Sequence, residues 1–141
     1  MGVSRSMEEF AVRMRLRASG LGKQAELAVR RAAVAADQAV VLGTPVDTGR
    51  ARSNWLTTIG APSSASTTNT DPSGAGALGQ GRAIIEGWKL GMAPIFITNN
   101  VVYIMRLEQG WSAQAPEGMT RAAIRAAREE LKKVRLLRDN L

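Results

Sequence analysis

The chain contains neither cysteine nor histidine among its 141 residues. Without cysteine it can form no disulfide bond and offers no thiolate to a metal ion. Without histidine it lacks the commonest general base and the commonest metal ligand, so a Ser-His or Cys-His nucleophile cannot form within one chain. Catalysis would have to use carboxylates, lysine, tyrosine or a Ser-Lys pair. We therefore predict a protein that is not an enzyme and that binds no cofactor and no metal ion.

Aromatic residues and long apolar runs are also scarce. Aromatics make up 4% of the sequence, so we expect a core made mainly of Ala, Val, Leu, Ile and Met. No apolar run approaches the roughly 20 residues that a membrane-spanning helix needs. Glu8 and Glu9 stand where a signal peptide would have its apolar segment. We expect a single domain over residues 1–141, made in the cytoplasm and without a membrane partner.

Basic residues exceed acidic ones, and the net charge is +7. The excess lies at the two ends of the chain, with +3 on residues 1–42 and +3 on residues 117–141. In the C-terminal segment four basic residues recur at helical spacing and form a stripe: Arg121, Arg125, Arg128 and Lys132. These side chains are candidate electrostatic contacts with DNA or with an acidic protein surface. A solvated helix face explains the same pattern, and the sequence leaves both interpretations open.

An Ala- and Val-rich segment with regularly spaced apolar residues predicts a long N-terminal helix. Residues 6–9 fit a capping box at its start, and residues 20–22 predict a break or kink because two of them are glycine. Gly43 and Pro45 predict its end, since glycine favours helix C-termini and proline cannot continue a helix.

The rest of the chain contains further predicted strands and helices. Residues 54–59 and 95–99 are rich in residue types that favour strands. Residues 82–90 predict a short helix, and the last helix is predicted from about residue 117 to residue 137. Residues 101–105 form an apolar run that fits either a strand or a helix.

Residues 60–81 differ sharply in composition from their neighbours. They are mainly Ser, Thr, Ala and Gly, with two Pro, and Asp71 is their only charge. Such a segment buries too little apolar area to offset the entropy lost on ordering, so we predict a long flexible loop within the domain. Its glycine-rich end lacks the Gly-Lys-Ser/Thr of a phosphate-binding loop, so we predict no nucleotide site there.

Asp47-Thr48-Gly49 matches the catalytic tripeptide of aspartic proteases. That chemistry needs two carboxylates that share one proton, so a chain with one such motif would have to dimerise. It also needs the aspartate after an apolar strand, whereas a predicted helix precedes it here. Arg50 would hold the carboxylate ionised, which opposes proton sharing. We favour a structural turn in which Asp47 and Thr48 cap a short helical turn. The turn comprises Thr44, Pro45, Val46, Asp47, Thr48, Gly49 and Arg50.

Three segments resemble, in order and in spacing, a family of tailed-bacteriophage neck and tail-completion proteins, also described as minor tail components or head–tail joining proteins. Residues 44–53 resemble that family's "aPvdTGrLr.S" segment. Residues 97–110 resemble its "i.N...Ya..lE.G" segment, and residues 114–121 its "qapgGmvr" segment. The resemblance covers about residues 25–130 and does not extend to the long Ser/Thr/Gly-rich loop.

The resemblance implies an α+β fold, in which a long N-terminal helix and a C-terminal helix pack on a small antiparallel sheet. It implies a structural virion protein at the head–tail junction, assembled in the host cytoplasm into a ring of six copies around the DNA channel. The implied partners are copies of itself, the adjacent head-connector protein and a tail-tube or terminator protein. Non-specific contact with genomic DNA in the channel is a further candidate.

We place the candidate subunit interface in residues 108–116 and in the 60–81 loop. The three tryptophans, Trp55, Trp88 and Trp111, are candidate core or interface anchors, and Trp111 is the preferred interface anchor because it lies in a polar loop. The candidate interface residues are Glu108, Gly110, Trp111, Gln114 and Pro116.

Two alternatives remain open. A small basic DNA-binding protein agrees with the sequence pI of about 11.0 and predicts tight, salt-sensitive binding to duplex DNA. A tail-terminator or head-closure ring subunit agrees with the same motifs, because neck proteins differ in their partners rather than in their chemistry.

Overall fold

The computed structural model describes the backbone of residues 2–134 and the side chains of residues 7–134. Within this part of the chain, helices and strands follow in the order α1 Gly2–Gly43, α2 Arg50–Ser53, β1 Trp55–Ile59, α3 Ala75–Glu86, β2 Ile95–Asn99, α4 Ile104–Glu108 and α5 Thr120–Lys132. The two strands form one antiparallel sheet. A long first helix, a C-terminal helix and a small antiparallel sheet confirm the predicted α+β fold.

The first helix, α1, is continuous over 42 residues, which corresponds to about 63 Å of helix. The break predicted at residues 20–22 is wrong, and so is the capping box at residues 6–9, because α1 runs through both segments. A glycine inside a helix costs only about 1 kcal/mol relative to alanine, and the surrounding residues are good helix formers. The predicted end is confirmed, since α1 stops at Gly43, two residues before Pro45.

Both predicted strands are confirmed. β1 and β2 pair over five residues each, with Trp55 opposite Asn99 and Ile59 opposite Ile95. The ladder is extended by the amide of Gly60, which donates to the carbonyl of Pro94 at 2.9 Å. Alternate β1 residues, Trp55 and Thr57, are buried, so this face of the sheet covers the core.

The glycine-rich end of the predicted loop is helical. α3 begins at Ala75, so the prediction of a loop through residue 81 and of a helix starting at residue 82 is wrong. Gly81 of α3 lies against α1, where a Cβ atom would collide with the carboxylate of Asp37. Glycine at this position therefore permits close helix packing rather than flexibility.

Residues 60–73 have no regular secondary structure, but side chains of neighbouring elements hold their backbone. The amide of Thr67 donates to Oδ1 of Asn54 at 2.7 Å, and Nδ2 of Asn54 donates to the carbonyl of Thr67 at 3.0 Å. The amide of Asp71 donates to Oγ of Ser53 at 2.8 Å. The segment is therefore attached to the end of α2 at two points.

The last helix, α5, begins beside the end of α1 and runs back along it. A Cβ atom on Gly43 would lie 4.0 Å from the Met119 side chain, and Glu130 lines a cleft with Leu27 and Arg30 of α1. A cluster of buried side chains fills the space between these helices and the sheet: Val40, Val41, Trp55, Ala77, Ala115, Met119 and Ala123. Most of them are no larger than valine, which lets the helices approach closely.

Residues 101–105, which fitted either a strand or a helix, form a turn followed by the start of α4. The predicted end of the last helix at residue 137 lies outside the described residues. No helix within residues 2–134 is both long enough and apolar enough to cross a bilayer.

Candidate interaction site around the 44–50 turn

The 44–50 turn begins at Thr44, which joins the end of α1 to the sheet. Its side chain is fully buried. The hydroxyl donates to the carbonyl of Val40 at 2.5 Å and accepts from the indole Nε1 of Trp55 at 2.7 Å. One hydroxyl group thus satisfies a carbonyl in the last turn of the helix and a buried tryptophan N–H, so both groups are paired away from water.

Arg52 holds the carbonyl groups at the end of α1. Its Nη2 donates to the carbonyls of Leu42 and Thr44, each at 2.9 Å. Its Nη1 donates to the carbonyl of Pro72 at 2.9 Å. A cation at a helix C-terminus is favourable because the unpaired carbonyls carry partial negative charge. Arg52 therefore fixes the turn relative to both α1 and the segment before α3.

Gly49 is required by the backbone of the turn. Its φ is 90°, and a Cβ atom would lie 2.5 Å from the backbone nitrogen of Pro72. The hydroxyl of Thr48 accepts from the amide of Arg50 at 3.2 Å, so the predicted cap by Thr48 is present. The predicted cap by Asp47 is wrong, since its exposed side chain accepts no hydrogen bond from α2, and the residue at the N-cap position itself is Gly49.

Glu108, at the end of α4, caps the start of α5. Its carboxylate accepts from the amide of Met119 at 2.9 Å and from the amide of Thr120 at 3.2 Å, and also from the Thr120 hydroxyl. An anion here is favourable because the first amides of a helix are unpaired and carry partial positive charge. Gly118, with a φ of 77°, allows this approach, since a Cβ atom there would collide with the Glu108 carbonyl.

Gln114 joins the segment after α4 to the 44–50 turn. Its Nε2 donates to the carbonyl of Val46 at 3.1 Å, and its Oε1 accepts from the amide of Val46 at 2.9 Å. The two groups are 68 residues apart in the chain. Two hydrogen bonds to one residue orient the Gln114 side chain and fix the position of the turn.

A cleft of about 410 Å³ lies between the turn and the segment around α4. Its walls are formed by residues 45–51 on one side and by Tyr103, Leu107, Ser112 and Gln114 on the other. Parts of all three segments that resemble the phage family therefore lie together. The arrangement offers a shallow surface that is more apolar than polar and that carries both an exposed carboxylate, Asp47, and an exposed guanidinium, Arg50.

The candidate interface residues differ in what they contact. Glu108 and Gln114 make the intramolecular hydrogen bonds described above, and Gly110, with a φ of 87°, lies so close to Pro116 that a Cβ atom would collide with its carbonyl. Trp111 is 70% exposed, and the guanidinium of Arg106 lies 5.2 Å from its ring centroid. Trp55 and Trp88 are buried. The exposure of Trp111 leaves it available to a partner.

The basic stripe lies along α5, and none of its residues lines the cleft. Its four members are all exposed: Arg121, Arg125, Arg128 and Lys132. Lys132 pairs with Glu129 at 3.0 Å, and Lys133 beside it pairs with Glu130 at 2.9 Å. Within the described residues the unpaired charge of the stripe therefore lies on its three arginines.

Sequence reasoning missed Asp37, a carboxyl group buried between α1, α3 and β1. The residue is 3% exposed. Burial raises the pKa of the Asp37 carboxyl to about 6, and a hydrogen bond from the Thr57 hydroxyl, at 3.4 Å, partly opposes this rise. A single acidic residue within the Ala- and Val-rich run was the available signal.

Among the side chains of residues 7–134, no group of three or more acidic residues is arranged to hold a metal ion. Asp47 follows a helix and a turn without strand structure, whereas the aspartate of an aspartic protease follows a strand. No family model, curated protein or solved structure matches the chain.

Proposed function

We propose that this chain is a structural virion protein of a tailed bacteriophage, a neck or tail-completion subunit that forms a ring and joins the DNA-filled head to the tail. The observation that carries the proposal is the meeting of the three family-like segments in one site. Arg52, Glu108 and Gln114 come from different segments, and each makes side-chain hydrogen bonds that join two elements. Chance similarity in three separate segments would not require such contacts.

These contacts separate residues that hold the fold together from residues that are free to contact other proteins. The 44–50 turn fixes where α1 ends and the sheet begins, and Glu108 fixes where α5 starts. Exposed side chains around this frame, Trp111 among them, contact other copies and the neighbouring connector and tail proteins. The ring has six copies, encloses the DNA channel and lies at the head–tail junction of the virion.

Removal of the gene from the phage that encodes it tests this function directly. We expect DNA-filled heads and complete tails to accumulate separately in electron micrographs, and joining to be restored by the gene supplied from a plasmid. The purified protein should form rings in negative-stain images at high concentration. Complete and infectious particles made without the protein would refute the proposal.

A second candidate function, DNA binding, is favoured by the exposed Arg residues on α5. It predicts tight binding to naked duplex DNA, with an affinity that falls steeply as salt rises. The matched variant replaces Arg121, Arg125 and Arg128 by Gln, which removes three charges from exposed positions. If the variant loses much of its affinity for DNA and its affinity depends less steeply on salt, DNA binding is favoured. Weak DNA binding by the unmodified protein would instead favour the ring-forming neck function.

A further inference from the structure

The two edges of the small sheet differ in how their backbone groups are used. On the β1 edge the amide of Thr57 donates to Oε1 of Gln80 at 3.0 Å, and the Thr57 carbonyl accepts from Nε2 of Gln80 at 2.7 Å. Gln80 belongs to α3, so one side-chain amide makes the pair of hydrogen bonds that a neighbouring strand would make. The middle of the β1 edge is therefore closed within the chain.

The bonds to Gln80 also fix which groups of β2 point away from the sheet. The N–H and C=O of a strand residue point to the same side, and the side alternates from one residue to the next. Because Thr57 points away from β2, its partner Ile97 points away from β1, and so do Ile95 and Asn99. We call the outward amides and carbonyls of these three β2 residues the open edge.

The open edge has no hydrogen-bond partner among the described residues. The bonds made by loops, turns and side chains include neither the amide nor the carbonyl of Ile95, Ile97 or Asn99. Within the same part of the chain, β1 is the only helix or strand that packs extensively against β2. Burial also decreases toward this edge, since Thr57 is buried whereas Ile97 opposite it is partly exposed. The sheet thus ends at β2 without a cover.

β2 also lacks the features that usually keep a free edge from pairing. Natural proteins protect such edges with charged side chains, proline or a bulge. β2 contains neither a charged residue nor a proline, and its five residues pair with β1 in unbroken register. The whole segment 90–105 carries no charged residue. An edge of this kind is a template for a strand from another chain.

A second copy of this chain offers one suitable strand. Within the described residues the sheet has two strands, and Gln80 closes the edge of β1, so the open edge of β2 is left to pair. When Ile97 lies opposite Ile97 of the second copy in antiparallel orientation, Ile95 lies opposite Asn99, and the outward groups of all three residues find partners. Identical segments meet across this two-fold axis, and the absence of charge means that they do not repel each other.

We infer that two copies of this chain pair through their open edges and form one four-stranded antiparallel sheet. The contact is isologous and joins copies in twos, whereas the proposed ring needs a heterologous contact. The pairing therefore concerns the free protein before assembly, and it does not depend on the neck function. It would protect an uncharged strand edge from aggregation until that edge is needed.

Amide hydrogen exchange, followed residue by residue with NMR, tests the pairing on the unmodified protein. We expect the amides of Ile95 and Ile97 to exchange at least tenfold more slowly at high protein concentration, where the dimer forms, than at low concentration. The amides of Phe96 and Thr98 point toward β1 and are the internal control, so their protection should be present at both concentrations. The Thr57 amide, bound to Gln80, should also be unaffected by concentration.

A pair of variants at Ile95 tests the same contact by analytical ultracentrifugation. Ile95→Pro removes an outward N–H and places the proline ring against the second copy, but it breaks no hydrogen bond within the chain. Ile95→Ala is the matched control, because it shortens the side chain and keeps the N–H. We expect Ile95→Pro to raise the dissociation constant of the dimer at least tenfold relative to Ile95→Ala. Protection of the Phe96 amide would show that the sheet is intact in both variants.

Four results would overturn the inference. The first is a protein that stays monomeric at every concentration. The second is a dimer in which the amides of Ile95 and Ile97 exchange as fast as in the monomer, because the contact would then lie elsewhere. The third is an equal dissociation constant for the two Ile95 variants. The fourth is protection of the open edge only when another virion protein is added, which would replace the second copy as its occupant. None of these results refutes the neck function, which removal of the gene tests separately.

Discussion

Replacing Asp37 by Asn should stabilise the protein at neutral pH. The carboxyl group lies between α1, α3 and β1, with the Thr57 hydroxyl as a hydrogen-bond partner and the backbone of Gly81 against its oxygen atoms. No cation pairs with it among the described residues. Above its folded pKa the group is therefore a buried charge without a counter-charge, and such charges destabilise the folded state. Asparagine has nearly the same shape and no charge.

The size of the stability gain expected for Asp37→Asn follows from the pKa of the Asp37 carboxyl. In the folded chain the pKa of Asp37 is raised from 3.8 to about 6, so the folded state binds the proton more tightly than the unfolded state. The stabilisation by protonation is complete below pH 3.8 and is lost as the pH rises through about 6. Each tenfold difference in proton affinity between the two states corresponds to about 1.4 kcal/mol, so the stability lost by pH 7 is at most about 3 kcal/mol.

Urea denaturation of both proteins from pH 4 to pH 8 would measure this difference. We expect Asp37→Asn to be more stable than the unmodified chain by about 1 to 3 kcal/mol at pH 7, and the difference to vanish near pH 4. Asp47→Asn, at an exposed carboxyl, is the control and should change little across this range. A constant difference at every pH, or a destabilised variant at pH 7, would refute the account of Asp37.

Three further substitutions test the 44–50 turn and the cap of α5, each by urea denaturation at pH 7. Gly49→Ala should destabilise the fold by at least about 1 to 3 kcal/mol, because alanine disfavours a positive φ and its Cβ would meet the Pro72 backbone; no loss would contradict the turn geometry. Glu108→Gln should cost about 1 to 2 kcal/mol by removing the anion at the start of α5, whereas Glu117→Gln, at an exposed position, should cost nothing measurable. Thr44→Val should cost about 1 to 3 kcal/mol, since it leaves a buried indole N–H without an acceptor; equal stability would show that the hydrogen bond contributes little.

Much of the fold could be predicted because its signals are local. The two strands have β-branched and aromatic residues, and the stop at Gly43 depends on residues beside it. α3 could not be placed in the same way. Its N-terminal half is rich in glycine, which by propensity predicts a loop. Gly81 is helical because packing against α1 leaves no room for a side chain, and that constraint is not visible in a local window.

The site was predictable only in part, for a related reason. The 44–50 turn and the exposure of Trp111 follow from nearby residues. The contacts of Gln114 with Val46 and of Glu108 with Thr120 join residues that are 68 and 12 positions apart. A sequence pattern indicates that such residues matter, but it does not say which groups they bind.

Residues 60–73 have the composition of a spacer, yet their backbone is engaged by side chains of its neighbours. Besides Asn54 and Ser53, Asn100 donates to the carbonyls of Ser63 and Ala65 at 2.7 Å and 3.0 Å. A protease must take an extended stretch of chain into its cleft, so cutting here has to wait until these contacts open. The rate at which a broad-specificity protease cuts residues 60–73 would therefore measure the free energy of that local opening. It would not show that the segment is a flexible linker.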